Sequence, residues 1–339
     1  MFLDVGLRNY DLQNVAEFAR QAEAIGYDCL WTSETAHEPF LPLAVASTAT
    51  SSLKLGTSIA VAFPRSPMVT AYTAWDLQKS SAGRFILGLG SQVRAHNQRR
   101  FSVKFESPGP KLREVVLALR AIWQCWQEGT PLRFKGEFYN FDLMTPFFNP
   151  GPIEHPKIPV YIAGVNRYMC CMAGEVCEGL HVHPFHTPKY LRDYVRPAVE
   201  EGLRKSPRSD RDFAYATAAF VVVGDTERER SENAEAARQQ IAFYASTRTY
   251  EPVLAAHGWE GVVPELHQKS LDGDWKAMAR LITDEMLDSI AVSGTYETIG
   301  AKLRERYAGI MDRIALYQPY ESSLDRSRSA EMVRQFKTA

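Results

Sequence analysis

Residues 84–96, RFILGLGSQVRAH, decide how the rest of the chain is read. Residues 85–89 are apolar or glycine at every position, as expected of a strand covered on both faces within a parallel α/β sheet. Gly88, Gly90 and Ser91 stand at its C-terminal end, the end at which α/β folds gather their ligands. Small residues there let a ligand approach the backbone, and Ser91, Gln92 and His96 can fix its orientation. A strand-to-helix turn that needs glycine for a positive φ accounts for the same glycines. The neighbouring segments therefore decide between a turn and a site.

Strand-like and helix-like patterns alternate on both sides. Strands are predicted over 2–7, 27–32, 53–63, 85–89, 158–163, 179–183, 213–223 and 313–317. Between them, Val15, Phe18, Ala19 and Ala22 recur at helical spacing and stop at Gly26, while Leu112, Val115, Val116, Leu119, Ile122, Trp123 and Trp126 line one side of a long amphipathic helix. A helix rich in Glu and Arg follows the Thr226 cap after strand seven. Residues 129–156 are rich in proline and aromatics, and 250–290 are mostly helical; neither belongs to the repeat. Eight strands alternating with helices give an α/β fold, a (β/α)8 TIM barrel with insertions after strands 4 and 7. One barrel domain is expected over residues 1–320, followed by a polar tail over 321–339. A doubly wound open sheet would need an early dinucleotide fingerprint, but GLGSQV has no third glycine and sits at strand four.

Composition narrows the partners. The 339 residues carry a formal net charge of −1, without the basic excess that phosphate-backbone binding requires. No apolar run approaches membrane-spanning length, and MFLDVGL does not open like a secretory leader. The five cysteines, Cys29, Cys125, Cys170, Cys171 and Cys177, contain no CxxC pair, so no disulfide framework or Cys-rich zinc site is expected. The expectation is a cytoplasmic protein that acts on a small molecule, without nucleic acid or membrane as partner.

The order LGTSI in strand three, RFILGLGS in strand four and IAG followed by GEVCEGLHVHPF around strands five and six resembles the bacterial luciferase-like superfamily. Within it, WTSETAHEPF, AVAFPRSPM and GSQVRAHNQRRFS are most similar to the oxidoreductases that use the deazaflavin coenzyme F420. The resemblance runs to about residue 320. It implies a hydride transfer between F420 and a small organic substrate, in a homodimer. It also implies a non-proline cis peptide at Ser58–Ile59, in a bulge with Thr57 that backs the ring. Gly90, Ser91 and Gln92 match positions that line the ring and ribityl chain. Ala163, Gly164, Val165 and Asn166, with His183, Pro184 and Phe185, match the phosphate end. A helix beginning near Asn166 would point free N–H groups at an anion, with Arg167 adding charge.

One position departs from the resemblance. Ser33-Glu34-Thr35 aligns with a site at which sugar-phosphate and alcohol dehydrogenases of this type carry an acidic residue and then a proton-handling His. Threonine is a poor general base. Glu34, His37 and His96 are the candidate catalytic residues that remain. The alternative within the superfamily is an FMN-dependent monooxygenase. A metal-dependent barrel hydrolase is a third reading, because His181 and His183 share one face of strand six and His186 follows. No metal is expected on balance, since barrel hydrolases normally place such a pair on the first strand, which here reads DVGLRN. The aromatic residues within 134–148 could wall the substrate pocket, and His257 and Trp259 could belong to a lid.

Overall fold

The computed structural model describes residues 1–8, 10–206, 213–318 and 325–339. Strands β1 (Phe2–Gly6), β2 (Cys29–Thr32), β3 (Lys54–Thr57), β4 (Phe85–Gly90), β5 (Val160–Gly164), β6 (Gly179–Val182), β7 (Ala214–Val223) and β8 (Arg313–Tyr317) pair in parallel in that order. β8 returns to β1 with Arg313 opposite Phe2, which closes the ring. The (β/α)8 barrel read from the sequence is the fold observed. Every residue of β2, β4 and β6 is buried, so the unbroken apolar run of β4 reports a strand between two packed layers. The helix Pro108–Glu128 buries the side bearing Leu112, Val115, Leu119, Ile122 and Trp126, as its spacing indicates.

Strand three is not continuous over 53–63. β3 stops at Thr57, a cis peptide joins Ser58 to Ile59, and Ala60–Val61 pairs separately with β4. A side chain bridges the gap in the ladder: the Thr57 hydroxyl donates to the Gly88 carbonyl (2.7 Å) and accepts from the Gly88 amide (2.9 Å). Only glycine fits at position 88, because a Cβ would collide with the Thr57 carbonyl.

The second insertion is larger than the sequence indicates. β7 pairs with β6 through Thr217 and with β8 through Phe220, then runs past the barrel, where Val221–Val223 pair with Val292–Gly294, a strand the sequence reading lacks. The Glu227–Ala245 helix starts out there and returns, so that Tyr244 reaches the barrel mouth, its ring 6.3 Å from Phe220 and 6.2 Å from Tyr317. It therefore belongs to the excursion, and Ile299–Tyr307 is the helix that leads back to β8. The end of the chain, polar in sequence, forms the helix Arg326–Thr338, which buries Met332, Val333 and Phe336. It lies close against Ile299–Tyr307, where a Cβ on Gly300 would collide with the Met332 carbonyl. The domain boundary read at residue 320 lies outside the described residues.

Candidate active site

Side chains two apart on a strand face the same side. Cys29, Trp31, Ile86, Tyr161, Ala216 and Ala315 form a cluster inside the ring, separate from the main core. Asp4 and Arg313 are buried beside it: the guanidinium donates to the carboxylate at 2.8 and 2.9 Å, and Trp31 Nε1 donates to the same carboxylate at 2.8 Å. One alternation step further along these strands stand Gly6, Ser33, Ala163, Ala218 and Tyr317, all at least partly open to solvent. A Cβ on Gly6 would meet no atom within 4 Å. Large side chains thus plug the barrel, and small ones leave a hollow above them at the C-terminal mouth.

The β2–β3 side of this hollow is tightly tied. The Glu34 carboxylate is buried and accepts from the Val61 amide and from Arg65 Nη1, both at 2.7 Å. Its own amide donates to the Ile59 carbonyl at 3.1 Å. Arg65 also reaches Glu38 (3.2 Å) and the Val61 carbonyl (3.1 Å). Glu34 therefore clamps the segment from Ile59 to Arg65. Thr57 is fully buried, and its hydroxyl is committed to Gly88. Ser58 and Ile59 are partly open, and Ser58 Oγ lies 3.5 Å from His181 Nδ1. Burial lowers the His181 pKa to about 3, which leaves the ring neutral, edge-on to Trp31 at 4.9 Å.

After β4, the Ile59 side chain occupies the place where a Cβ on Gly90 would sit, 2.7 Å from its nearest atom. Glycine at 90 thus seats the strand-three loop. Ser91 and Gln92 are partly open, and Gln92 adopts a φ of +55°. Asn97 Nδ2 holds the Ser91 carbonyl at 2.9 Å. Arg100 donates to the Thr35 carbonyl, joining this loop to the one after β2. His37 and His96 are exposed on those two loops, His37 beside the Tyr10 ring.

At β5, Ala163 and Val165 are partly open, and Asn166 caps the helix Arg167–Val176 by accepting from the Met169 amide. The Arg167 amide donates to the Tyr194 hydroxyl (3.2 Å), and its guanidinium pairs with Glu201. Two first-turn amides and the adjacent charge are thus already engaged. Gly164 is buried, tight against Leu180. After β6, the His183 ring stacks on Tyr250 at 4.4 Å and meets Tyr244 edge-on at 4.6 Å. Its Nδ1 accepts from the Phe185 amide, so Nε2 carries the proton of the neutral ring. Burial, with His186 nearby, lowers its pKa to about 3. Phe185 is buried, and Pro184 is partly open. His186 bonds the His183 carbonyl and the Tyr307 hydroxyl. Among the described residues no three His, Cys, Asp or Glu side chains converge on a common point.

The family model of the luciferase-like monooxygenases matches residues 4–313. The chain belongs to that family. An uncharacterized protein of Mycobacterium tuberculosis is 46% identical over 92% of each chain. An F420-dependent glucose-6-phosphate dehydrogenase of Kineococcus radiotolerans is 32% identical over 58% of this chain and 60% of that one. Among solved structures, the coenzyme F420-dependent tetrahydromethanopterin reductase of Methanopyrus kandleri superposes with a TM-score of 0.78, at 22% identity, over 98% of this chain and 97% of that one.

This luciferase-like oxidoreductase has a mouth of two unlike halves. From β1 to β5 it is lined by small residues and the clamped loop. From β6 to β8 it is lined by aromatic rings and donors: His183, Tyr250, Tyr244 and Tyr317, whose hydroxyl lies 2.6 Å from that of Tyr244 under the Arg8 guanidinium. Sequence reading missed Arg8, Arg65, Tyr244, Tyr250 and Tyr317. Alternation from Arg313 pointed Tyr317 at the mouth, and proline on both sides of Arg65 marked a turn; nothing local marked Tyr244, which arrives from the excursion.

Proposed function

We propose that this protein is an F420-dependent oxidoreductase that transfers a hydride between the deazaflavin and a small organic substrate. The observation that carries a planar-ring site is the hollow over Gly6, Ser33, Ser58 and Ala163, where side chains end short and a Cβ on Gly6 would stand in open space. Such a cradle fits a flat tricyclic ring resting on a fixed wall. Ser58 and Ile59 would back the ring, with Glu34 and Arg65 holding that wall in place. Ser91 and Gln92 would line the side chain of the cofactor, and the partly open Val165 and Pro184 would border its far end. Thr57, Gly90, Gly164 and Phe185 would act by shaping these walls. A bound deazaflavin supplies a ring carbon that gives or accepts a hydride, and the protein contributes orientation and exclusion of water.

The Kineococcus relative, named for F420, supports the deazaflavin over FMN. The family name supports the second reading, an FMN-dependent monooxygenase. A hydrolytic metal centre has no such support, because His183 and His186 are committed to backbone and aromatic partners. A homodimer in the cytoplasm belongs to this reading; among the described residues no helix is long and apolar enough to cross a membrane. The test is a side-by-side fluorescence titration with F420 and FMN. Micromolar F420 binding without FMN binding is expected, and the reverse result refutes the proposal.

A further inference from the structure

If the mouth hosts hydride transfer, a proton must move as well. The groups first expected to move it are poorly placed. Thr35 stands where the resemblance places a His, and its carbonyl is taken by Arg100. Glu34 is committed to Arg65 and the Val61 amide. His37 and His96 lie exposed on the rim. The opposite arc holds O–H groups instead.

We propose that Tyr317, hydrogen-bonded to Tyr244, polarises the substrate and exchanges the proton, and that the substrate is a carbonyl or imine (or, in reverse, the alcohol or amine). The proposal rests on the hydride-transfer reading above. Three observations carry it. First, Tyr317 continues the alternation of Arg313 and Ala315, both inside the ring, and is itself partly open at the mouth. Second, its hydroxyl lies 2.6 Å from that of Tyr244, so a proton lost by one phenol can be replaced by the other. Burial raises the Tyr244 pKa, the neighbouring Tyr317 adding to it, which keeps that reserve proton in place. Third, the Arg8 guanidinium lies 4.9 Å from the centre of the Tyr317 ring, held by the Gln318 carbonyl, so a developing phenolate gains a fixed positive neighbour. Phe220, 4.6 Å from Tyr317, packs the ring and restricts its rotation.

The step balances as follows. A hydride from the reduced deazaflavin forms a C–H bond at the substrate carbon. The C=O π bond breaks, and its electron pair moves to oxygen. That oxygen takes the Tyr317 proton, Tyr317 is reprotonated through Tyr244, and Tyr244 by water. The carbonyl is reduced and the deazaflavin oxidised.

The test uses the cofactor-free protein with 4-dimethylaminocinnamaldehyde, an aldehyde whose absorption band moves to longer wavelength when its oxygen accepts a strong hydrogen bond. The wild-type protein is expected to red-shift the band, Tyr317→Phe to abolish the shift, and Tyr244→Phe to reduce it. Both variants keep the packed ring, so folding is preserved. With reduced F420 and the same aldehyde as substrate, Tyr317→Phe should lower kcat by about 100-fold while the F420 Kd stays unchanged. Absence of a red shift in the wild-type protein overturns the proposal, as does a shift that survives in Tyr317→Phe. Failure of F420 to bind overturns the function proposed above instead, because the aldehyde assay contains no cofactor.

Discussion

Removing Arg65 tests whether Glu34 is a clamp or a proton carrier. Arg65→Ala deletes a 2.7 Å ion pair and leaves Glu34, whose side chain is 6% exposed, with only the Val61 amide on that oxygen. Breaking a buried pair costs about 3–5 kcal/mol when the remaining charge has no water. Arg65 is 19% exposed, so solvent enters the gap and a loss of about 2–3 kcal/mol is expected. That corresponds to roughly 3–4 °C in Tm for a domain of this size. Glu34→Gln preserves an acceptor for Val61 and loses only the charge, so about 1–2 kcal/mol is expected. The assay is urea unfolding of both single variants and the double variant, with F420 titration alongside. A clamp gives a coupling of at least about 1 kcal/mol between the two positions and a weaker cofactor Kd in both singles. The reasoning is refuted if Arg65→Ala unfolds and binds like the wild type, while Glu34→Gln binds F420 normally yet loses ~100-fold in turnover together with one limb of its pH profile.

Three further outcomes follow from the same geometry. Asp4→Asn strands the Arg313 guanidinium, 3% exposed, without its carboxylate, and should cost about 3–5 kcal/mol by thermal or urea melts; a wild-type Tm would contradict the pairing. His181 and His186 have pKa values lowered by burial to about 3 and about 4, against roughly 6.5 when unfolded. Between those values the unfolded chain binds protons that the native one does not. Their stabilisation is therefore complete above pH 6.5 and lost as pH falls, about 1.4 kcal/mol per unit for each, or roughly 4 kcal/mol for the two at pH 5. Urea melts at pH 7 and pH 5 check it, and equal stability would reject it. Gly136→Ala should collide with the Glu114 carboxylate, which accepts from the amides of Glu137, Phe138 and Tyr139. The expected result is faster proteolytic cleavage within residues 134–141 and a loss of about 0.5–3 kcal/mol; an unchanged cleavage pattern would show that this turn does not depend on the carboxylate.

Where the sequence was legible, one local pattern was enough. The apolar run of β4 is buried on both faces, and the spacing of Leu112 to Trp126 is the buried side of one helix. The break in strand three was not visible in LGTSIAVAF from the residues themselves, since every residue there suits a strand. It depends on the Thr57 side chain replacing backbone bonds to a glycine 31 positions away. Glu34 was read as a candidate catalytic residue, but its carboxylate is held by Arg65, again 31 residues on. The helix rich in Glu and Arg after Thr226 carries an exposed Arg228–Glu232 pair, in keeping with its composition; the same helix nevertheless ends in Tyr244 at the mouth. Asn166 held a legible warning: a residue that caps a helix well consumes an amide that an anion would otherwise use.

The halves of the mouth also explain each other. Hydride transfer needs a ring face and a reacting carbon close together, with a donor on the far side of that carbon. On the β1–β5 half, glycine, serine and alanine leave room for a ring, and Ile59 seated over Gly90 fixes the height of its wall. On the β6–β8 half, His183 and Tyr317 present N–H and O–H groups held by Tyr250, Tyr244 and Phe220. Tyr244 and Tyr250 come from the excursion after β7, not from the barrel strands. Under the proposed function, the donor half is therefore the half whose chemistry can change without disturbing the wall that would hold the ring. Substituting within 224–291 should alter which substrates are accepted, whereas substituting Glu34 or Arg65 should alter how well the ring is held.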